Sequence, residues 1–171
     1  MIKIFYLMLA TLSVSSLECD IGDKKPFCFF PEIFHTSLEA ANVQLDVQRY
    51  MGDWHEVART PNRFEKDCVC SEAHYEFNTE KKFIQVTNSC RKKDGSFKSA
   101  KAKAYPKNDN MTIYKLYFVP VFGGNYWILD LAEDYSYAVI GEPCRDSLYI
   151  LSRTEELHHD VMQHLLQKAQ K

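Results

Sequence analysis

Glu56 is the residue of this chain best suited to chemistry, a carboxyl inside the alternating stretch WHEVA at 54–58. A buried carboxyl can serve as a general acid, but acid–base catalysis also requires a second carboxylate, a histidine or a nucleophile within reach. None stands near Glu56 in strand order, and by the period-two alternation of a strand His55 and His74 point to the opposite face. His158, His159 and His164 fall in one C-terminal segment at spacings that do not form a paired metal site. Cys68 and Cys70 lack the two-residue gap of a zinc knuckle, and no second cysteine pair or close histidine supports one. These groups give no catalytic residue, no metal site and no cofactor, so the protein is read as a non-enzyme and Glu56 as a hydrogen-bonded group low in the interior.

The 171 residues, 46% hydrophobic and 13% aromatic, suffice for one domain with a sizeable core. A formal net charge of -2 with scattered Lys and Arg leaves no basic face to neutralise phosphates. Nucleic acid is therefore not an expected partner, and a small or apolar ligand is. Residues 1–16, MIKIFYLMLATLSVSS, carry one Lys and then an apolar run too short to span a bilayer, the pattern of a signal peptide cleaved near Ser16. The mature protein is expected to be exported, either secreted or periplasmic. Anchoring as an outer-membrane lipoprotein through Cys19 is the lesser alternative, because Glu18 replaces the small residue that lipidation wants. In an oxidising compartment the six cysteines signal disulfides.

The stretch from Leu17 to Tyr50, interrupted by Pro26 and Pro31, reads as an extended lead-in with one short helical turn, lying across the domain. Beyond it, alternating segments recur about every 10 to 12 residues with turn residues between them. They are drawn at 53–60, 71–78, 82–90, 97–105, 111–119, 125–131, 135–141 and 147–152. Each break suits a hairpin, so eight strands joined as neighbours form a meander, and closure removes the two exposed edges. In TEELHHDVMQHLLQKAQK the period changes. Leu157, Val161 and Leu165 fall four apart, giving an amphipathic helix that Thr154 caps, with Glu155 and Glu156 at its positive end, docked outside the barrel.

Gly52-x-Trp54 at the opening of the first strand, the segments YMGDWHEVARTPNRFEK (50–66) and FGGNYWILDLAEDYSYAVIGEP (122–143), and RDSLYILSRT (145–154) before the helix resemble the lipocalins. Within that family they resemble the bacterial outer-membrane lipocalins and their animal relative apolipoprotein D. The resemblance covers about residues 45–167. It implies an all-β, eight-stranded antiparallel up-and-down β-barrel with a C-terminal α-helix on its outside. The expected division is a signal peptide at 1–16, a lead-in at 17–45, and barrel plus helix at 46–171. It further implies that Trp54 plugs the closed end and Arg153 lies across it in a cation–π contact, structural roles shared with Gly52, whose missing Cβ lets the backbone pass beneath the ring. Two departures stand out. The usual Thr-Asp-Tyr before the seventh strand is LAEDY here, with Asp134 and Tyr135 available to serve, and the chain ends soon after the helix, so a monomer is expected.

With Trp54 inward, parity puts Glu56 and Ala58 inside and Val57 outside, under the helix. In SAKAKAY the alanines Ala100, Ala102 and Ala104 face inward and Lys101 and Lys103 outward, leaving space within. The same alternation sends Ala73, Tyr75, Phe77, Tyr114, Leu116, Phe118, Tyr126, Ile128, Ala138, Ile140, Tyr149 and Leu151 to the cavity side. The function implied is carriage of a small hydrophobic or amphiphilic ligand, a fatty acid or lysophospholipid, with Arg63 and Lys66 near an anionic head at the open mouth. The alternative is an interaction module whose open-end loops engage a partner protein or, peripherally, a membrane, the cavity being incidental. Cys68, Cys70, Cys90 and Cys144 all map to the open mouth. The resemblance suggests Cys28 with Cys144, after which Cys90 pairs with Cys68 or Cys70 and the other goes to Cys19 or stays free. Asn110 opens the sequon NMT, meaningful in a eukaryotic host.

Overall fold

The computed structural model describes residues 38–62, 65–119 and 122–169. The signal segment, Cys19, Cys28, most of the lead-in and Arg63 lie outside the described residues. A short helix, α1 (Val47–Tyr50), is followed by β1 (Gly52–Arg59), β2 (Cys68–Asn78), β3 (Phe83–Lys92), β4 (Phe97–Pro106), β5 (Ile113–Val119), β6 (Phe122–Leu131), β7 (Tyr137–Gly141) and β8 (Leu148–Ser152). A second helix, α2 (His159–Ala169), closes the series. Each strand pairs antiparallel with the next and β8 returns to β1, so the barrel is closed and has no free edge.

The alternation seen in the sequence is the alternation of burial. On β4, Ala102 and Ala104 are buried and the intervening Lys101 and Lys103 exposed. On β2, Ala73 and Tyr75 face inward between the exposed Glu72, His74 and Glu76. Outside, Leu157, Val161, Met162, Leu165 and Leu166 pack on Val139, Ile150 and Val57, so the helix covers a strip of β1, β7 and β8. That helix starts later than its sequence suggests. Thr154 does not cap it but donates its hydroxyl to the Glu156 carbonyl in a bend over 153–156, and the acidic residue of the first turn is Asp160 rather than Glu155 or Glu156. The apolar stripe ran back to Leu157, and periodicity alone could not separate a residue that packs from one that is helical.

The closed end is built from three stretches far apart in the chain. Asp46 caps α1 by accepting from the Gln48 and Arg49 amides, and the helix delivers the fully buried Tyr50, whose carbonyl accepts from Trp54 Nε1 at 2.9 Å. Arg153 lies over Trp54 with its guanidinium carbon 3.7 Å from the ring centroid. Its Nη1 donates to the Asp53 carbonyl at 2.6 Å, and its Nη2 to those of Arg49 and Met51 at 2.7 and 2.9 Å. Gly52 turns the chain into β1 at φ +92°, a conformation L residues avoid. That, rather than crowding, is the reason for glycine, since a Cβ there would meet Arg153 Nη1 at an ordinary 3.6 Å. In the turn before β7 the Asp134 carboxylate accepts from the Ser136 amide, the Tyr135 hydroxyl accepts from the Asp46 amide, and Arg49 stacks on the Tyr135 ring.

Replacing Arg153 by Lys keeps the charge but loses the planar fork that reaches three carbonyls and stacks on the indole. We predict a loss of about 2 kcal/mol in stability, read as a lower urea midpoint. An unchanged midpoint would show that the floor closes without this residue.

Candidate functional site

Inside the barrel lies a cavity of about 630 Å³. Its volume follows from small side chains facing large ones: Ala73, Ala100 and Gly124 stand on the wall where a bulkier set would fill the space. Glu56, Ala73, Tyr75, Ala100, Leu116, Phe118, Tyr126, Ile140 and Tyr149 from the sequence-derived set line it, as does Leu151. Phe77, Ala102, Ile128 and Ala138 face the interior but belong to the packed core beneath. Tyr114 reaches only a separate void of about 10 Å³ below the cavity, room for about one water.

Ala58, expected inside, faces outward. A β-bulge between Glu56 and Ala58 slips the register against β8, so that Ala58 pairs with the outward Ile150 and packs toward α2, while Arg59 pairs with Tyr149. The extra residue inverts parity, which the sequence pattern cannot show. Arg59 thereby comes beside Glu56, and its Nη1 donates to Glu56 Oε1. Its Nη2 donates to the carbonyls of Glu65 and Cys68 at 3.0 and 3.3 Å, and its Nε stands 4.0 Å from Glu65 Oε2. Glu56 is therefore not low in the barrel. It sits on the wall of the main cavity, next to groups that come down from the open-end loop.

The electrostatics of this cluster are unusual. The Glu56 side chain is only 8% exposed. Burial, and then repulsion from the Glu65 carboxylate, push its pKa from the ordinary 4.5 up to about 7, against the pull of Arg59. Glu65 itself accepts from Asn62 Nδ2 at 2.7 Å. Below the cluster the phenols form a chain: Tyr50 and Tyr126 share a 2.6 Å hydrogen bond and Tyr126 donates to Tyr75 at 3.1 Å. Burial pushes the Tyr75 hydroxyl up to about 12 and holds those of Tyr50 and Tyr126 well above the ordinary value. These are neutral hydrogen-bonding groups at any physiological pH.

Arg59, Glu65, Ser71 and Asn88 were not singled out from the sequence. Ser71 was within reach of the same parity argument, two residues before Ala73. Arg59 was not, because its placement depends on the bulge. At the mouth, Cys68 and Cys90 form a disulfide with Cα atoms 5.6 Å apart. Cys70 is free and exposed, and Cys144 is disulfide-bonded, while the Cys28 expected for it lies outside the described residues. Lys66 is exposed in the first loop. Among the described residues no group of His, Cys, Asp and Glu is arranged to hold a metal, and no helix is long and apolar enough to cross a membrane.

The folded protein retains a proton on Glu56 that the unfolded chain has lost between about pH 4.5 and 7, so its stability falls as pH rises through that window. Gln keeps the neutral form, and we predict that Glu56→Gln stabilises the ligand-free protein by about 2 kcal/mol near pH 8 and by almost nothing near pH 4. Urea midpoints at the two pH values decide it; destabilisation near pH 8 would mean that the pairing with Arg59 outweighs burial.

Comparison with known proteins places this barrel. A family model described as a lipocalin-like domain matches residues 45–171. The temperature-induced lipocalin-1 of Arabidopsis thaliana is 37% identical over 134 residues, covering 73% of this chain and 72% of the plant protein. The outer membrane lipoprotein Blc of Escherichia coli is 30% identical over 125 residues, 72% of this chain and 71% of the bacterial one. Among solved structures, lobster apocrustacyanin A1 superposes with a TM-score of 0.58 at 20% identity, over 72% of this chain and 71% of its own, a likeness of fold. The matched region takes in every strand and both helices, and the chain belongs to the lipocalin family, whose members generally bind small hydrophobic ligands.

Proposed function

We propose that this lipocalin is exported and carries a single-chain lipid, of the fatty acid or lysophospholipid class, with its chain in the barrel and its head toward the open end. The observation that carries the reading is the cavity of about 630 Å³ enclosed by Ala73, Ala100, Leu116, Ile140 and Leu151, wide enough for an alkyl chain and closed beneath by the tyrosine floor. A chain of about a dozen methylenes buried there gains roughly 10 kcal/mol gross, much of it offset by immobilisation, which leaves micromolar affinity or somewhat better. Ser71 is the hydroxyl nearest Glu56 in strand order, and no histidine lines the cavity among the described residues to activate it, so the role proposed is carriage without chemistry, by a monomer.

Delipidated protein is expected to take up one equivalent of a long-chain fatty acid or lysophospholipid, seen by native mass spectrometry. Ala100→Trp, which puts an indole into the cavity, is expected to weaken uptake about tenfold or more while leaving the far-ultraviolet circular dichroism unchanged. Undiminished uptake by that variant would place the lipid elsewhere.

Exposed apolar side chains at the open end favour a second, compatible reading, peripheral contact with a membrane from which a lipid could be taken. Phe97 is 78% exposed at the start of β4, and Val69 and Phe118 are also exposed at that end. Phe97→Ser should reduce co-sedimentation with lipid vesicles while leaving uptake of dispersed lipid intact; equal sedimentation of both proteins would count against membrane contact.

A further inference from the structure

The cavity is not uniformly greasy. Its β5–β8 side presents Leu116, Ile140 and Leu151 with the phenols of Tyr126 and Tyr149, whereas the carboxyl Glu56 and the polar Ser71 and Asn88 stand on the β1–β3 side, with Glu65 above them. Ser71 is 5% exposed, lines the cavity, and its Oγ has no hydrogen-bond partner. It follows the last paired residues of β1 and β2, His55 and Glu72, by one step on the inner face, which sets it across from Glu56. An unsatisfied buried hydroxyl beside a buried carboxyl is costly unless a ligand completes it.

The charges of this wall do not balance. Among the described residues the two carboxyls, Glu56 and Glu65, share one guanidinium, Arg59, whose Nη groups are already committed to Glu56 and to two carbonyls. Among the described residues, the groups that face Glu56 from β2 and β8 are the hydroxyls of Tyr75 and Tyr149. Lys98 on β4, in register with the inward Cys90, reaches the cavity at its mouth, while Glu72 on β2 turns outward, its Oε1 3.5 Å from His55 Nδ1. With both carboxyls ionised, Glu56, Glu65 and Arg59 among the described residues carry one surplus negative charge in a place of low dielectric, and the free protein relieves it by keeping a proton on Glu56.

We infer that the Glu56–Glu65–Ser71 wall is a head-group site for a protonated amine, so that among single-chain amphiphiles the barrel selects those with an ammonium head over those with a bare carboxylate. The ammonium replaces the proton: its three donors match two carboxylates and the Ser71 hydroxyl, and its charge cancels the surplus. A fatty-acid carboxylate at the same place adds a third negative charge and no donor. The inference rests on the carrier reading above and specifies which head that carrier accepts.

The sign of the pH dependence follows. Binding an ammonium displaces the Glu56 proton, so affinity rises with pH until Glu56 is ionised in the free protein near 7, then levels off. Binding a carboxylate has the opposite slope. The experiment measures hexadecylamine, palmitic acid and the neutral hexadecanol on delipidated full-length protein, by displacement of a fluorescent probe below the micellar range, at about pH 6 and about pH 8.5. The amine is expected to bind about tenfold tighter at the higher pH, palmitate to weaken, and hexadecanol to stay level. Both Glu56→Gln and, as a second variant should the first misfold, Glu65→Gln should flatten the amine slope. Palmitate binding as tightly as the amine at about pH 8.5, or an amine slope that survives both variants, overturns the ammonium site while hexadecanol still reports a working carrier. Failure of hexadecanol along with the other two overturns the carrier reading and this inference with it.

Discussion

The position of Arg153 over Trp54 is the constraint on which the rest of the barrel depends. A closed sheet of eight strands has two open ends, and a ligand cavity exists only if one of them is sealed without filling the whole interior. Trp54 seals it from inside, at 0% exposure, and Arg153 seals it from outside by stacking on the indole and donating to the carbonyls of Arg49, Met51 and Asp53. Those three carbonyls belong to α1 and the entry to β1, while Arg153 follows β8. One side chain thus ties the first strand to the last where the sheet closes on itself. The φ of +92° at Gly52 brings those carbonyls to one guanidinium, so the glycine, the indole and the arginine form one device.

Sealing the floor at one point frees the upper interior from having to be a core. Below, Tyr50, Tyr75, Tyr114 and Tyr126 pack around a void of about 10 Å³, and hydrogen bonds join Tyr50 to Tyr126 and Tyr126 to Tyr75. Above, alanine and glycine at wall positions leave the larger cavity. The tyrosines make a floor that is rigid through packing yet polar at its surface, because each ring is large and each hydroxyl is neutral after burial. A floor of leucines would seal as well, but it would offer nothing to the polar groups of the wall above.

How far the sequence disclosed this architecture varied with the regularity of each element. SAKAKAY gave β4 its two faces directly, and Gly52-x-Trp54 with Arg153 gave the closed end, because both signals rest on strict alternation or on a residue with one physical use. The helix start was lost because Leu157 packs like a helical residue without being in the helix. The choice between Cys68 and Cys70 was lost for a deeper reason. Alternation from Ser71 and Ala73 puts Cys70 outward, where it is exposed, and would leave Cys68 outward too; a bulge between the two cysteines turns Cys68 inward to Cys90. The same kind of slip hid Arg59 and misplaced Ala58.

The bulges of β1 and β2 lie toward the open end and act on one cluster. The bulge in β1 brings Arg59 inside, the bulge in β2 brings Cys68 inside, and Arg59 Nη2 donates to the Cys68 carbonyl. Without either, Glu56 would be a lone carboxyl in an apolar wall, held neutral and inert. With both, it acquires a guanidinium that partly supports its charge and a second carboxylate that opposes it, which sets its pKa near 7 instead of near either extreme. Bulges are tolerated at barrel rims because twist can be absorbed there, and they re-aim side chains where function is served. In this barrel the irregular residues, rather than the alternating ones, make the difference between a plain hydrophobic container and one whose wall can distinguish one head group from another.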